Sequence, residues 1–307
     1  MSITLRILET PQEMAAVEDL ELLVWPGSER DIVPDHLLLT VAHNGGLVIG
    51  AYVEDDEGIT TAMVGVVFGF PGLYFTPDGP RPKHCSHMMG VHPDYRDRGI
   101  GFALKRAQWQ MVRRQGLDRI TWTYDPLLSR NAHLNITKLG AVCNTYIREV
   151  YGEMRDVLNV GLPSDRFQLD WWVNTTRVNT RLSRRARSPL GLNDFLAAGF
   201  AVINPAWIDE DGWQRPMEAM ARDLEGLFSQ DERRGDDEEA AIILVEIPPD
   251  FMGLKTANPE LALEWRIHTR QIFETLFDRG YLVTDFIHSP GAHPRSVYVL
   301  SHGDSTL

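Results

Sequence analysis

A glycine turn between a strand and a helix constrains this 307-residue chain more than any other feature. The segment Arg96-Asp97-Arg98-Gly99-Ile100-Gly101 follows an apolar run that ends at Val91 and precedes a helix-forming run that starts at Phe102. Glycines let backbone N–H groups approach an anion closely, and the helix adds the partial positive charge of its N-terminus. The segment therefore predicts a strand, turn and helix that together cradle a pyrophosphate.

Length and composition indicate a globular protein of two domains. At roughly 100 to 200 residues per domain, the chain predicts one domain over residues 1–160 and a second over residues 161–307. With 43% hydrophobic and 24% charged residues, the composition favours neither disorder nor a membrane protein. The net charge of −13 argues against a general nucleic-acid binder, since that class presents a basic surface.

Cysteine usage and the N-terminal residues point to a reducing compartment. Cys85 and Cys143 both fall in predicted strands, and so few cysteines do not make a disulfide framework. Residues 1–6 lack the features of a signal peptide, and apolar runs such as Leu47–Val53 are too short to span a bilayer. The ten histidines show no pairing with carboxylates at ligand spacing. We therefore expect a cytoplasmic protein without a membrane, nucleic-acid or metal partner.

In the first half of the chain, strand and helix signals alternate. Thr10-Pro11-Gln12-Glu13 predicts a capped helix start that leads to a helix ending near Val24. Asn44-Gly45 predicts a hairpin, and the Pro/Gly-rich segment Pro71–Pro82 predicts a loop. Strands are predicted over residues 3–8, 47–53, 59–70, 84–91, 120–124 and 141–150. The order predicts an α/β fold with a mixed sheet covered by helices on both faces.

Two further helices are predicted in this half. The helix after the glycine turn is amphipathic and ends at Gly116. Its apolar stripe contains Ile100, Leu104, Ala107 and Met111, whereas Lys105 falls on the polar side. A later helix is predicted over Asn131–Leu139, ending at Gly140.

The second half predicts a smaller α/β domain. Its strands are expected over Ala201–Asn204, Ile242–Ile247, Tyr281–Ile287 and Ser296–Ser301, with a helix over Pro259–Arg279. This strand, helix, strand order is similar to that of the first half without the glycine turn, and a degenerate second copy is one interpretation. The arginine-rich residues 177–187 and the acidic residues 231–239 are predicted to be solvated surface.

The glycine turn carries a resemblance to a known family. Arg96, Gly99 and Gly101 match the pattern of the GNAT superfamily of N-acyltransferases: Arg or Gln, two residues, Gly, one residue, then Gly or Ala. The lead-in Val91-His92-Pro93-Asp94-Tyr95 also resembles that family, and the resemblance extends over about residues 3–160. It implies a GNAT-type fold, with a central mixed sheet flanked by helices, and an acyl-CoA co-substrate.

The resemblance assigns cofactor-binding residues. The pyrophosphate of CoA would be bound by the turn residues Arg96, Asp97, Arg98, Gly99, Ile100, Gly101 and Phe102. The main chain from Met89 to Val91 would bind the pantetheine arm. Either Arg96 or Arg98 would add a charge-assisted hydrogen bond to a phosphate, the alternative being that both side chains point into water.

A second pattern of the family is incomplete in this chain. Ser129 stands where Asn is usual, Ile136 where Tyr is usual, and Ala141 where Phe is usual. The tyrosine that commonly protonates the CoA thiolate is therefore absent. Ser129 and Asn131 remain candidates for contact with the cofactor, although capping of the helix explains Asn131 about as well.

Acyl transfer from a thioester to an amine needs a base, a hydrogen-bond donor to the oxyanion and a route for protonating the leaving thiolate. A backbone N–H near Met89 suits the oxyanion. Strict alternation places Cys85, His87, Met89 and Val91 on one strand face, which makes His87 the candidate base, unless it is an ordinary core histidine. Tyr124 is the candidate acid.

Other groups near these positions have alternative roles. Tyr146 is a second available phenol, and a thiolate leaves well enough that a dedicated acid is not required. Asp125 precedes Pro126 and either fixes a turn or binds the ammonium of the acceptor.

The run from Trp122 to Leu127, with Tyr151-Gly152, resembles a poorly characterised bacterial branch of the superfamily with a long C-terminal extension. Some members of such branches are associated with N-succinylation of amino acids. The expected function is therefore transfer of an acetyl or succinyl group from acyl-CoA to the amine of a small metabolite. A non-catalytic acyl-CoA sensor or interaction module is the alternative, and a homodimer is left open.

Overall fold

A computed structural model of the chain describes residues 2–26, 32–54, 60–152, 160–183, 190–217 and 242–302. The predicted acidic surface at 231–239 lies outside the described residues, as do Arg184, Arg185 and Arg187. The chain divides into two compact units. The first comprises Met1–Trp122, Met154–Val160 and Asp170–Thr175, and the second comprises Thr123–Glu153, Gly161–Leu169 and Thr176–Leu307. The units therefore do not follow the division predicted at residue 160, because residues 123–153 pack with the C-terminal part of the chain.

The first unit holds most of a mixed sheet and three helices. Its elements are β1 (Ser2–Ile7), α1 (Pro11–Val24), α2 (Asp35–His43), β2 (Leu47–Glu54), β3 (Thr60–Thr76), β4 (Gly79–Val91) and α3 (Ile100–Arg114). Strands β5 (Arg119–Tyr124) and β7 (Arg166–Trp172) contribute residues to both units. The strand order is β1-β2-β3-β4-β5-β7, with β4 and β5 parallel and the pairs from β1 to β4 antiparallel.

Helices cover both faces of this sheet, as predicted. Because side chains alternate along a strand, β2 and β3 send one set toward α1 and α2 and the other toward α3. The first core contains Met14, Val17, Leu20, Leu38, Val48, Val66 and Phe68. The second contains Ile49, Ala51, Val64, Val67, Ile100 and Leu104. The prediction of a mixed α/β fold with a flanked central sheet is confirmed.

The predicted start of α1 is also confirmed. The Thr10 side chain accepts a hydrogen bond from the backbone N–H of Glu13 at 3.4 Å, and the Glu13 carboxylate accepts one from the Thr10 N–H at 3.0 Å. This reciprocal pair satisfies two donors that a helix start otherwise leaves open. Pro11 occupies the first turn, where its missing N–H costs nothing.

The predicted loop over Pro71–Pro82 is wrong, since these residues extend β3 and β4 into a long antiparallel arm. Pro71 pairs with His84 and Thr76 with Gly79, so Pro77-Asp78 forms the tip. Proline lacks an N–H and is confined to positions where the ladder needs none. The paired residues of β4 with β5 are only His84 and Cys85, which leaves the proline-bearing part of β4 at an edge where proline is tolerated.

Three other predictions were wrong in detail. Asn44 caps the end of α2 and Gly45 adopts a left-handed φ of 84°, so this pair ends a helix and does not form a hairpin. The predicted strand at 141–150 is reduced to β6 (Tyr146–Ile147), and the one at 201–204 to a single bridge from Val202 to Leu244.

The second unit contains a separate three-stranded sheet. Its elements are α4 (Ser129–Ala132), a π-helical turn (His133–Lys138), β6, α5 (Thr176–Leu182), α6 (Leu192–Ala197), β8 (Trp207–Ile208), β9 (Gln214–Arg215), β10 (Ile242–Ile247), α7 (Phe251–Ala257), α8 (Pro259–Asp278), β11 (Leu282–Ser289) and β12 (Arg295–Ser301). β6 pairs antiparallel with the start of β7, and β8 with β9. β12 lies between β10 and β11 and is antiparallel to both.

The separate sheet repeats a topology found earlier in the chain. A strand, one or more helices and then two strands give the order β10-β12-β11, and the corresponding succession gives β5-β7-β6. This agreement in strand order supports the interpretation of a degenerate copy, which stays a prediction. No glycine turn follows β10, because Asp250 caps α7 with its own side chain there.

Candidate active site

The glycine turn has the backbone geometry that anion binding requires. Asp97 and Gly99 both have positive φ, at 63° and 79°, and Gly99 is the N-cap of α3. Among the described residues no side chain caps this helix, which starts at Ile100. Its first N–H groups have no acceptor within the helix, so they and the helix dipole are available to an anion. The residues present therefore fit the pyrophosphate of CoA.

The two arginines of the turn are held against the protein. Arg96 Nε donates to the carbonyl oxygen of Val91 at 3.3 Å. The Arg98 guanidinium lies 5.1 Å from the centroid of the Tyr95 ring. Both side chains are also exposed, so the role of Arg96 or Arg98 at a phosphate stays a prediction.

β4 and β5 separate close to the middle of the site. Two residue pairs join them, His84 with Ile120 and Cys85 with Thr121. Beyond Cys85, β4 continues to Val91 paired with β3 on one edge. In the described residues its other edge has no ladder partner. The main chain of Met89 and Val91 thus offers hydrogen-bonding groups where the sequence predicts the pantetheine arm.

A β-bulge at His87 changes which side chains share a face. Phe68 pairs with Met88 and Gly69 with Ser86, so His87 is the extra residue of β4. A bulge shifts the alternation by one residue. The prediction that His87 shares a face with Met89 and Val91 is therefore wrong.

The two faces of β4 have different neighbours. Met89 and Val91 pack toward α3, while Met88 packs toward α1. The His87 ring lies 5.7 Å from Phe68 and 6.0 Å from Phe70, measured between ring centroids. His87 is exposed at its surface, and partial burial beside these rings lowers its pKa. A lower pKa keeps its imidazole neutral near pH ~7, which a base requires.

A buried polar network lies beneath the point where β4 and β5 separate. Lys105 is buried, and its Nζ donates to Ser86 Oγ at 2.7 Å and to Gln108 Oε1 at 3.2 Å. The same Nζ lies 3.8 Å from the centroid of the Trp122 ring. The Gln108 amide donates to His84 Nε2 at 3.1 Å. The sequence placed Lys105 on the polar side of α3, so this burial was missed.

One signal in the sequence pointed to the buried position of Lys105. Lys105, Gln108 and Val112 follow helical spacing beside the predicted apolar stripe, and all three are buried. In the described part of the chain no carboxylate contacts Lys105. Burial lowers its pKa from 10.5 to about 7, and burial with the nearby Lys105 charge lowers the pKa of His84 to about 3.

The second unit contains three of the predicted site residues, Tyr124, Ser129 and Asn131. The Tyr124 hydroxyl lies 2.9 Å from the Tyr298 hydroxyl, which donates to the carbonyl oxygen of Pro126 at 2.7 Å. Because the Tyr298 hydroxyl donates its proton to the Pro126 carbonyl, the Tyr124 hydroxyl is the donor in the hydrogen bond between Tyr124 and Tyr298. Burial and the Tyr298 contact raise the pKa of Tyr124 well above its usual range.

Ser129 and Asn131 lie on α4. Ser129 is buried with its Oγ 2.8 Å from Ser296 Oγ, whereas Asn131 is half-buried. Leu128 is the N-cap of α4 and no described side chain caps it, so Asn131 does not serve as the cap. The helix continues into the π-helical turn, a feature frequent at functional sites, and ends at Gly140 with φ 77°.

Asp125 has both carboxylate oxygens occupied. Oδ1 accepts from the backbone N–H of Leu127 at 2.9 Å, which forms the predicted turn. Oδ2 accepts from Arg266 Nη2 at 2.5 Å. Of the two roles considered for Asp125, the structure supports the turn.

Comparison with known proteins gives a family match for the first half of the chain. Residues 14–140 match the model of the acetyltransferase (GNAT) family. This part of the chain is similar to the GNAT family. The match to the family runs from α1 through the glycine turn to the end of the π-helical turn. No curated protein matches the chain.

Solved GNAT structures show low sequence identity to this chain. Ribosomal-protein-S18-alanine N-acetyltransferase from Escherichia coli is 15% identical, with 57% of this chain and 96% of that chain covered and a TM-score of 0.42. Arabidopsis thaliana NAA60, in complex with acetyl-CoA, is 14% identical over 56% and 99% of the two chains, with a TM-score of 0.44. The protein yncA from Salmonella typhimurium, solved with its cofactor acetyl-CoA, is 16% identical over 57% and 96% of the two chains, with a TM-score of 0.42.

Two searches of the described residues gave negative results. No described helix combines the length and apolarity needed to cross a membrane. Within the same residues, no group of three or more His, Cys, Asp or Glu side chains is placed to hold a metal ion.

Proposed function

We propose that the protein is an acyltransferase that moves an acyl group from acyl-CoA to the amine of a small metabolite such as an amino acid. The GNAT family match over a glycine turn with uncapped backbone donors is the observation that carries the proposal. The acyl group is acetyl or succinyl, which the family match leaves open. We also propose a cytoplasmic enzyme that needs no metal.

The first unit offers a group for each part of donor binding. The turn from Arg96 to Phe102 binds the pyrophosphate through its N–H groups, with Arg96 or Arg98 adding positive charge. The free edge of β4 from Met89 to Val91 binds the amides of the pantetheine arm. A backbone N–H near Met89 stabilises the developing oxyanion. The contacts of Ser129 and Asn131 with the cofactor, which the resemblance implies, stay predictions.

His87 is the proposed base. It is exposed, so an acceptor ammonium can reach it, and its lowered pKa keeps it unprotonated near neutral pH. Tyr124 is less suited to act as the acid, because its proton is engaged by Tyr298 and its pKa is raised.

The test follows release of the CoA thiol with acetyl-CoA and succinyl-CoA against a panel of D- and L-amino acids and polyamines. Turnover with one donor and acceptor supports the proposal and names both substrates. CoA binding without turnover across the panel would favour a non-catalytic acyl-CoA sensor.

The His87→Ala variant tests the base. We expect a fall in kcat/KM of about 100-fold, with CoA affinity unchanged, because His87 is not placed at the turn. His36→Ala, a change of an exposed histidine on α2, is the matched control. An unchanged rate in His87→Ala would remove this residue from the mechanism.

A further inference from the structure

The Lys105 ammonium is satisfied without a counter-ion. It has three N–H donors, and the structure provides three acceptors: Ser86 Oγ, Gln108 Oε1 and the face of the Trp122 ring. A buried cation is normally paired with a carboxylate, because removing a charge from water is costly. No described carboxylate contacts this one. The network therefore holds an uncompensated positive charge inside the first unit.

Ser86 carries the hydrogen-bond donor that this network leaves unused. Its Oγ accepts from Lys105, which leaves the Ser86 O–H free to donate, and no described group accepts from it. Ser86 is the first residue of β4 beyond the last pair with β5. At the other end of the network, Gln108 donates to a neutral His84, so no proton enters from that side. The Ser86 hydroxyl proton, which no described group accepts, therefore lies where β4 and β5 separate.

This position lies along the proposed path of the pantetheine arm. At ~3.3 Å per residue, Ser86 is roughly 16 Å along β4 from Val91. An extended pantetheine arm that starts at the glycine turn and follows the free edge of β4 spans a comparable length. Its sulfur then lies near Ser86.

One further step rests on the proposed function. We propose that the Ser86 hydroxyl, backed by Lys105, delivers the proton to the departing CoA thiolate in place of the phenol that the chain lacks at Ile136. Ser86 is the catalytic residue because it touches the sulfur. Lys105 is a positioning residue and proton reservoir that acts through it.

The acceptor amine forms the C–N bond, and the C–S bond breaks with its electron pair going to sulfur. The Ser86 O–H proton moves to sulfur while a Lys105 N–H proton moves to Ser86 Oγ, so the thiol departs and Lys105 becomes a neutral amine. The proton that the acceptor loses to the base reaches solvent, and solvent reprotonates Lys105. The lowered pKa of Lys105, about 7, makes both of its forms accessible near neutral pH.

The described groups around Lys105 include one titratable side chain, that of His84. β4 faces it with His84 and Ser86, α3 with Gln108, and β5 with Trp122. His84 is the titratable member, and its pKa of about 3 keeps it neutral over the working range. An alkaline change in rate that disappears with Lys105 therefore reports on Lys105 itself.

The first experiment needs no acceptor. CoA is titrated with pH in complex with the protein, and the bound thiolate is followed by its ultraviolet absorbance. In the wild type the Lys105 charge lowers the pKa of the bound CoA thiol. In Lys105→Met this lowering is lost at unchanged CoA affinity. An equal thiol pKa in both proteins, or loss of CoA binding in the variant, overturns the proposal.

The second experiment measures kcat against pH for Ser86→Ala, Ser86→Thr and Lys105→Arg. Ser86→Ala loses about 100-fold in rate together with the alkaline fall of the profile, and Ser86→Thr restores both because it keeps a hydroxyl. Lys105→Arg keeps the charge but cannot release a proton near neutral pH, so its rate stays low.

Thr121→Val is the matched control for these variants, since Thr121 is buried on β5 beside the network and belongs to no part of it. An equal loss in Thr121→Val, or a wild-type profile in Ser86→Ala, overturns the proposal. Absence of turnover in the wild type itself would instead overturn the proposed function.

Discussion

Gly99 and Gly116 bracket α3 with nearly the same left-handed backbone, φ 79° at its start and 76° beyond its end. A Cβ at either position would meet no atom within 4 Å. The two glycines thus have equal conformational demands and equal space. They differ in that only Gly99 lies in the proposed anion-binding turn.

This pair gives the first prediction. Gly99→Ala and Gly116→Ala should each cost about 1 kcal/mol in the free energy of unfolding, because alanine disfavours positive φ. Only Gly99→Ala should weaken CoA binding, by about tenfold or more, because Gly99 alone of the two lies in the turn whose N–H groups are proposed to bind the pyrophosphate. Denaturant titration and calorimetry with CoA measure the two effects. Equal CoA affinities in the two variants would contradict the assigned turn.

The second prediction concerns Lys105 and stability. Its pKa is about 7 in the folded protein and 10.5 as the ordinary value, so the unfolded chain binds the extra proton between these limits. Stability should therefore rise with pH from about 7 toward about 10, by roughly 4 kcal/mol in all. Lys105→Met should remove this rise and unfold later than the wild type at about pH 6. A wild-type pH slope in the variant would contradict the burial of an unpaired amine.

Glu21 gives a prediction of opposite sign in a separate pH range. The side chain is buried on α1, and its Oε2 accepts from the backbone N–H of Val33 at 2.8 Å. Burial raises the pKa of Glu21 from 4.5 to about 7. Since the folded state holds the proton longer, stability should fall by about 3 kcal/mol as pH rises through this interval.

Glu21→Gln should remove that fall, because it keeps an acceptor for Val33 without a charge. Denaturant titration at several pH values measures the slope. Asp19→Asn, a change at an exposed position of the same helix, should leave it unchanged.

Two ion pairs of the second unit provide a fourth prediction. The Arg266 and Asp125 side chains meet in the interior, whereas Arg148 and Glu274 meet at the surface. Asp125→Asn retains the turn contact with Leu127 but leaves the buried Arg266 charge uncompensated, which should cost about 3–5 kcal/mol. Glu274→Gln should cost under about 1 kcal/mol.

Adding Arg266→Met to Asp125→Asn should recover much of the loss, since the guanidinium that lost its partner is then absent. Chemical denaturation of the two single variants and the double variant checks this. Equal costs for Asp125→Asn and Glu274→Gln would show that burial does not determine the contribution of these pairs.

The parts of the fold that depend on local chemistry were predictable from sequence. Thr10 and Glu13 cap α1 as their spacing predicts, and Gly116, Gly140 and Gly280 end their helices with positive φ. These outcomes depend on neighbours within a few residues, so the sequence contains the whole cause.

Features set by distant pairing were not predictable in the same way. The bulge at His87 arises where β4 pairs with β3, and nothing within β4 alone marks it. The burial of Lys105 depends on Ser86 and Trp122, which come from two other strands. The turn of the site could thus be read from six residues, while the network beneath it needed the fold.

The bulge at His87 divides β4 into two segments whose side chains alternate between the sheet faces in opposite phase. Up to Ser86 the even-numbered residues face α3, and from Met89 onward the odd-numbered ones do. A single-residue deletion at His87 would remove only the extra residue, so that Ser86, Met88 and Met89 alternate regularly and every side chain keeps its present face. With the bulge left in place, a one-residue insertion or deletion elsewhere in β4 would turn part of the strand over, so His87 is the position of β4 where a change of length disturbs the core least.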